Sequence, residues 1–180
     1  SKFFNFSEHD GMRVPKLKSS MLDIEVLDKA DGSALVVWHD PVLLRWCGTT
    51  TGSMDSPPGD IGRELLEKSP VAGLDPAYTY MFEIISPRAR CVIDYRDREE
   101  LVLLGKVNPV TGATTPLSRV SSQEWSGSRV STFDYVTITE ALDCLDRPDA
   151  EGYVIHLLDT DERVKVKQDD YIALHRIIFG

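Results

Sequence analysis

Short apolar runs, each bounded by turn-forming residues, are the feature of this chain that most constrains its fold. A strand in a packed sheet gives a run of about four to eight residues, whereas an amphipathic helix needs roughly ten or more with a helical period. The runs that fit strands lie at residues 21–27, 34–38, 42–46, 78–85, 91–95, 101–107, 152–158 and 163–167. The chain is therefore predicted to be rich in β-sheet.

Helical patterns are fewer. Residues 60–68 follow a Pro-Pro-Gly break and place Ile61, Leu65 and Leu66 on one face. Further helices are predicted at 140–145, 168–179 and, weakly, 122–125, and Gly, Pro and Ser clusters predict loops at 48–59 and 108–118. Mostly antiparallel strands with a few helices outside them define an α+β fold. We expect one domain over residues 1–180.

Composition narrows the class of protein. Cys47, Cys91 and Cys144 are an odd, widely spaced set, which predicts buried, reduced thiols rather than a disulfide framework. No apolar run approaches the roughly 18 residues of a membrane span, and the first residues lack a signal-peptide core. We expect a cytoplasmic protein without a membrane partner. With a net charge of −9, the surface as a whole should repel a polyanion, so any nucleic-acid site must be a local basic cleft.

A lysine beside a carboxylate lies between two of the predicted strands, in the run Lys29-Ala30-Asp31-Gly32-Ser33. Glycine allows a phosphate to approach the backbone, and a desolvated lysine next to other cations loses its proton more easily and becomes a nucleophile. One hypothesis is that Lys29 attacks phosphorus. The alternative is an ordinary exposed hairpin turn, which the same residues also describe.

Two more lysines alternate with valines near the end of the chain. Glu151-Gly152-Tyr153-Val154 opens one predicted strand, and Arg163-Val164-Lys165-Val166-Lys167 follows a polar turn, so the two segments fit a hairpin. Strand alternation puts Lys165 and Lys167 on one face and the valines on the other. Two cations then point at one place. The alternative is an edge strand whose lysines only face solvent.

Taken in order, these motifs resemble those of the covalent lysine nucleotidyltransferases, the polynucleotide ligases and capping enzymes. The nearest resemblance is to the RNA ligase 1 family of large bacteriophages and the ligase domain of fungal tRNA ligases. It is carried by Lys2-Phe3-Phe4-Asn5-Phe6, the Lys29 run, Phe82-Glu83-Ile84-Ile85-Ser86-Pro87-Arg88-Ala89-Arg90, Glu151-Gly152-Tyr153-Val154, and Lys165-Val166-Lys167-Gln168-Asp169-Asp170-Tyr171 with Leu174-His175 behind. The resemblance implies two mainly antiparallel sheets flanked by helices, with the nucleotide pocket between them.

The resemblance also implies a role for each motif. Lys29 would attack the α-phosphorus of ATP and carry AMP covalently, with Lys165 and Lys167 as catalytic cations. The implied nucleotide-binding residues are Lys2, Lys29, Asp31, Gly32, Glu83, Glu151, Val154, Lys165 and Lys167. Asp31 and Glu151 would hold Mg²⁺ or Mn²⁺, which prefer oxygen ligands. Two structural alternatives stay open: Lys2 as a solvated terminal charge, and Glu83 as a buried acid paired with Arg88 or Arg90.

The resulting hypothesis is an ATP-dependent RNA ligase, or its adenylyltransferase domain, that acts in RNA repair. It would pass AMP to an RNA 5′-phosphate and seal that end to a 3′-hydroxyl, with tRNA among the candidate substrates. We expect a monomer in the cytoplasm, or a phage-encoded protein in a host cytoplasm. Family members extend further in both directions, so flanking domains that select the RNA would be missing. The alternatives are a GTP-using capping guanylyltransferase and a non-catalytic RNA-binding or scaffold domain of the same fold.

Overall fold

The computed structural model describes residues 3–5, 23–89, 91–134, 137, 140, 147 and 150–168. Its strands are β1 (Phe3–Asn5), β2 (Ile24–Asp28), β3 (Ser33–Asp40), β4 (Arg45–Thr50), β5 (Thr79–Ile85), β6 (Glu100–Val107), β7 (Thr114–Thr115), β8 (Thr132–Phe133), β9 (Gly152–Leu157) and β10 (Glu162–Lys167). One α-helix, α1 (Pro57–Glu67), and three 3-10 turns (Val71–Gly73, Pro87–Ala89 and Leu117–Arg119) complete the described elements. Contacts divide the chain into two compact units, Ser1–Ala30 with Ser131–Gly180, and Asp31–Val130.

The first unit is a five-stranded sheet in the order β1-β10-β9-β2-β8. β1 pairs with β10 in parallel, and the other pairs are antiparallel. One face of this sheet is apolar: its buried cluster consists of Val26, Tyr153, Ile155, Leu157, Val164 and Val166. Because side chains alternate along a strand, the residues between these point to the opposite face. That polar face carries Glu25, His156, Arg163, Lys165 and Lys167.

The second unit is an antiparallel sheet in the order β4-β3-β5-β6-β7, with α1 packed on one face. The hydroxyl of Ser56 accepts a hydrogen bond from the Gly59 N–H at 3.2 Å, and this cap together with Pro57 in the first turn explains why the helix begins where it does. The helix buries Leu65 and Leu66 on its inner face. Phe82 and Trp125, both fully buried, pack with ring centroids 4.7 Å apart.

Most of the predicted elements are confirmed, with shifted ends. β2, β3, β5, β6, β9 and β10 lie on the predicted runs, and α1 begins three residues before the predicted 60–68. The α+β prediction is confirmed as a mainly β structure, since α1 is the only α-helix whose bounds lie within the described residues. The predicted helix at 140–145 lies outside the described residues except for Glu140. The one at 168–179 lies outside them except for Gln168.

Three predicted elements are wrong. Residues 41–44 form a turn in which Asp40 Oδ1 accepts the N–H groups of Val42 and Leu43, so β4 begins at Arg45 and continues into the predicted loop at 48–59. Residues 91–95 form no strand because a carboxylate binds the backbone N–H groups there instead. Residues 122–124 are a turn rather than a helix. The short strands β7 and β8 were not predicted, since two residues carry no periodic pattern.

Cys47 and Cys91 are both thiols outside any disulfide, as predicted, but both are half-buried rather than buried. Cys144 lies outside the described residues. Among the residues that the structure describes, no helix has the length and apolarity that crossing a membrane would need.

Candidate functional site

Three of the predicted site residues meet in the first unit. Lys29 Nζ lies 2.5 Å from Glu151 Oε2, and Lys167 Nζ lies 3.5 Å from the other oxygen of the same carboxylate, Oε1. Glu151 is only 4% exposed, whereas the side chains of Lys29 and Lys167 are 17% and 37% exposed. A buried carboxylate is thus held between two ammonium groups, which is the condition under which a charge tolerates burial.

The backbone ladder of the sheet brings these three residues together. Lys29 follows the end of β2, and its N–H donates to the carbonyl of Gly152 at 3.0 Å. Glu151 directly precedes β9, and its own carbonyl accepts the N–H of Gln168, next to the end of β10, at 3.0 Å. These residues lie at the ends of three adjacent strands, and the three strand ends are on the same side of the sheet.

The second lysine of the predicted pair lies one row further along the sheet. Lys165 pairs in register with Val154 of β9, which in turn pairs with Leu27 of β2. Both Lys165 and Val154 are half-buried. Val164 and Val166 pack in the apolar cluster, so the predicted alternation of lysines and valines is confirmed.

Arg147, which was not predicted from the sequence, supports the same strand ends from the apolar face of the sheet. Arg147 Nη2 lies 2.9 Å from Asp28 Oδ1, and its guanidinium covers the rings of Phe133 and Tyr153 at 4.7 and 5.0 Å. Burial acts to lower the pKa of Arg147, but hydrogen bonds to Tyr153 and Asp28 raise it overall. Arg147 thereby links the residue before Lys29 to the strand after Glu151. No local sequence pattern points to it, because its carboxylate partner Asp28 is far away in the chain.

The second unit contains the other half of the Lys29 run. Asp31 Oδ2 accepts hydrogen bonds from the N–H groups of Val92 and Ile93, both at 2.7 Å, and the Asp31 N–H donates to the Tyr95 hydroxyl at 2.9 Å. The Cys91 thiol donates to the Gly32 carbonyl at 3.4 Å. Segment 91–95 is therefore fastened to Asp31 and Gly32, which explains why it forms no strand.

Gly32 and Glu83 lie close together in this unit. A Cβ built on Gly32 would overlap the carbonyl oxygen of Ile84 and come within 3.1 Å of Glu83 Cγ, so only glycine fits. Glu83 is 9% exposed. Of the two partners proposed for it, Arg88 contacts Glu64 and Glu99 at 2.9 and 2.6 Å. Arg90 lies outside the described residues.

The structure thus brings Lys29, Glu151 and Lys167 into direct contact and places Lys165 and Val154 in the adjoining row. Asp31, Gly32 and Glu83 belong to the second unit, and Lys2 lies outside the described residues. Within the described ranges, no cluster of three or more His, Cys, Asp or Glu side chains forms a metal site.

Comparisons with known proteins give a structural match only. No protein-family model matches the chain, and no curated protein sequence does. Among solved structures, an apo variant of the Naegleria gruberi RNA ligase has a TM-score of 0.70 at 16% identity, with 92% of this chain and 54% of that chain covered. A variant of the same ligase with AMP and Mn gives a TM-score of 0.70 at 16% identity, covering 92% and 55%. The ligase with PPi gives 0.65 at 17% identity, covering 91% and 55%.

The chain therefore has the fold found in that RNA ligase. It spans about half the length of the ligase chains that it matches. At this level of identity the likeness concerns the fold, and the activity of the ligase is carried over only as a proposal.

Proposed function

We propose that this chain is an ATP-dependent RNA ligase or the adenylyltransferase domain of one, and that Lys29 is its nucleophile. The observation that carries the proposal is the contact of Lys29 and Lys167 with one buried carboxylate, Glu151. The shared fold and the order of the motifs along the chain support it. The roles of Lys2, Gly32, Glu83 and Val154 in nucleotide binding stay predictions.

The first step needs an uncharged amine. In the ion pair with Glu151, the Lys29 amine is held as an ammonium, which has no lone pair with which to attack. Glu151 Oε2 is within hydrogen-bond reach of Nζ and is positioned to take the proton. Lys29 Nζ then bonds to the α-phosphorus of ATP, the bond from that phosphorus to the bridging oxygen breaks, pyrophosphate leaves, and Nζ gives up its second proton to solvent. The product is a lysine phosphoramidate of AMP.

Lys165 and Lys167 have a different catalytic role from Lys29. Lys167 lies next to Glu151, and Lys165 projects from the same face of β10. Ammonium groups near the α-phosphate stabilise the charge that builds up on its oxygens in the transition state. When Glu151 accepts the proton, its ion pair with Lys167 weakens.

A divalent metal ion belongs to the proposed reaction, and two carboxylates are candidates for holding it. Mg²⁺ and Mn²⁺ need few protein carboxylates, because Mg²⁺ in particular keeps several waters. Glu151 is a buried carboxylate of the required kind, but its two oxygens contact Lys29 and Lys167, so its assignment as a metal ligand rests on the resemblance. Asp31 already uses Oδ2 for two backbone N–H groups, so its assignment as a metal ligand rests on the resemblance. When bound, such an ion would neutralise phosphate charge.

The later steps follow from the phosphoramidate. An RNA 5′-phosphate oxygen attacks the AMP phosphorus, the P–N bond to Lys29 breaks, and the amine regains a proton. A 3′-hydroxyl of RNA then attacks the activated 5′-phosphate and releases AMP, which leaves a phosphodiester. The acidic surface of the chain, with 29 Asp and Glu against 20 Lys and Arg, favours a small contact with RNA ends over an extended one.

The proposal is tested by incubating the protein with α-labelled ATP and, in parallel, α-labelled GTP, in the presence of Mg²⁺ or Mn²⁺. A denaturing gel then detects covalent label, and acid treatment tests for a phosphoramidate. We expect an acid-labile label from ATP that Lys29→Ala abolishes. Lys68→Ala is the matched control, because Lys68 is an exposed lysine that pairs with Glu64 and should not affect labelling.

A second arm bypasses the first step by supplying RNA that already carries a 5′-adenylate together with an RNA 3′-hydroxyl. Joining of these ends supports the ligase assignment. A label from GTP alone would support capping chemistry instead. If the protein takes no covalent label and joins no RNA ends, that result contradicts both enzyme assignments and favours the non-catalytic scaffold.

A further inference from the structure

A row of buried charged side chains crosses the polar face of the first sheet, next to the proposed site. Glu25 of β2, His156 of β9 and Arg163 of β10 pair in register across three strands. They are 8%, 1% and 5% exposed. We propose that Arg163, held by this row, is a positioning residue that fixes β10 so that Lys165 and Lys167 meet the nucleotide phosphates. The inference rests on the proposed function and adds to it a residue that the reaction itself does not use.

The contacts of His156 define how Arg163 is held. Arg163 Nη2 lies 3.4 Å from His156 Nδ1, and Arg163 Nη1 lies 3.4 Å from Asp161 Oδ1. The other ring nitrogen, Nε2, lies 2.8 Å from the same Asp161 oxygen. Glu25 Oε2 lies 3.6 Å from Nδ1. The guanidinium thus contacts the His156 ring of β9 and the Asp161 carboxylate of the β9–β10 turn, and Glu25 of β2 approaches the same ring.

The contacts of the two nitrogens of His156 determine which of them carries the proton. A guanidinium only donates, so the contact of Arg163 with Nδ1 requires a lone pair on that nitrogen. The proton of a neutral His156 then lies on Nε2 and is donated to Asp161. Protonation of Nδ1 would turn its partner from Arg163 to Glu25 and would set two cations against each other. The neutral ring with the proton on Nε2 is therefore the form that holds Arg163.

The burial of this row argues for a role beyond stability. Burial lowers the pKa of Arg163, with the charges of Asp161 and Glu25 opposing the shift. Buried charge networks contribute little net stability compared with apolar residues of similar size. The apolar cluster of this sheet lies on the opposite face, so the row is not part of that hydrophobic core.

The strand geometry connects Arg163 to the lysines. Residues two apart on a strand share a face and lie about 7 Å apart. Arg163, Lys165 and Lys167 are consecutive on the polar face, and Phe3 and Asn5 of β1 pair with Arg163 and Lys165 from the other side. A shift of the backbone at Arg163 therefore reaches both lysines. A displacement of about 1 Å in a positioned catalytic group can cost about 100-fold in rate.

The test compares Arg163→Met with Arg163→Lys, and Arg119→Met is the matched control because it makes the same change at an exposed arginine. Single-turnover labelling with ATP gives the rate constant at saturation and the apparent affinity, and thermal unfolding verifies the fold. For Arg163→Met we expect the rate constant to fall by about 10- to 100-fold with less than about a threefold change in apparent ATP affinity. Arg163→Lys should recover part of the rate.

Two variants of His156 separate its contacts. In His156→Asn the amide oxygen takes the place of Nδ1 as an acceptor for Arg163, whereas in His156→Gln the amide nitrogen takes the place of Nε2 as a donor to Asp161. We expect the Asn variant to label faster than the Gln variant. A role in stability alone would make the rates of these variants follow their melting temperatures.

One measurement on the unaltered protein is independent of activity. Long-range ¹H–¹⁵N correlation spectra of ¹⁵N-histidine-labelled protein report the tautomer of His156, and we expect the proton on Nε2 at neutral pH. A proton on Nδ1, or folded Arg163→Met that labels at the wild-type rate, would overturn the inference while leaving the proposed function intact. If the wild-type protein takes no label in the presence of ATP, the proposed function fails, and the role of Arg163 in that reaction fails with it.

Discussion

Replacement of Gly152 by alanine should separate the strands that carry the proposed site. Gly152 has φ 143°, a conformation that residues with a side chain rarely adopt. A Cβ at this position would overlap the carbonyl oxygen of Val166 and lie 2.9 Å from both the Val166 carbonyl carbon and Lys167 Cα. These are backbone atoms of β10 that no side-chain rotation moves. The ladder between β9 and β10 must therefore open beside Glu151.

The expected loss of unfolding free energy in Gly152→Ala has two contributions. A residue with a side chain in a sparsely populated backbone region costs about 1–3 kcal/mol. Displacing the backbone of a paired strand adds to this, and we expect a total loss of about 2–4 kcal/mol in the free energy of unfolding. For a chain of this size, each kcal/mol corresponds to roughly 2–4 °C in melting temperature, so Gly152→Ala should melt roughly 5–15 °C lower than wild type.

Two control glycines separate the effect of backbone conformation from the effect of the close contact with β10. Gly112 has φ 73° with no atom within 4 Å of a built Cβ, so Gly112→Ala measures the backbone term alone. Gly52 also has open space and lies outside the positive-φ region, so Gly52→Ala should be close to neutral. The assays are thermal and urea unfolding followed by circular dichroism, together with ATP labelling. If Gly152→Ala melted within about 2 °C of Gly112→Ala and still labelled at the wild-type rate, the close packing of Gly152 on β10 would be refuted.

Three further changes test other parts of the structure. Glu151→Gln should lower the rate of labelling by about 100-fold or more, since the amide does not accept a proton, and an unchanged single-turnover rate would contradict that role. Asp31→Ala removes hydrogen bonds to a buried N–H group and a partly buried one and should cost about 2–4 kcal/mol in urea unfolding, whereas Asp31→Asn should cost less. Equal stability would contradict the attachment of segment 91–95 to Asp31. Hydrogen bonds from Lys68 and Arg88 lower the pKa of Glu64, so the advantage of wild type over Arg88→Met in melting temperature is fully present above the usual glutamate pKa of 4.5 and disappears as the pH falls through the lowered value. A difference that stayed constant down to acid pH would refute this linkage.

The strands of the first unit could be predicted because their side chains alternate. Lys165 and Lys167 lie on one face and Val164 and Val166 on the other, and that pattern is local. The contact of Lys29 with Glu151 joins residues that are far apart in the chain, and only the order of the motifs suggested that they belong to one site.

The two strands that were wrongly predicted have physical causes that cannot be seen in a local sequence pattern. The apolar residues Val42, Leu43 and Leu44 look like a strand, but Asp40 closes them into a turn and Leu44 takes φ 51°. Segment 91–95 is similarly apolar, yet its N–H groups bind Asp31 rather than a neighbouring strand. In both cases a side-chain carboxylate outcompetes the sheet for backbone hydrogen bonds.

The two arginines that support the site could not be predicted from the sequence either. Arg147 and Arg163 each meet groups from several strands, and nothing near them in the chain distinguishes them from surface arginines. Such residues become visible only when the register of the sheet is known.

The central claim is that Lys29 carries AMP, and mass spectrometry of the protein after incubation with ATP and Mg²⁺ tests it most directly. The intact mass should increase by one AMP, and proteolytic mapping at neutral to alkaline pH should locate the adduct on Lys29. Lys29→Ala should show no adduct, while Lys68→Ala should show as much as wild type. An adduct on another residue, or one that persists in Lys29→Ala, would contradict the account.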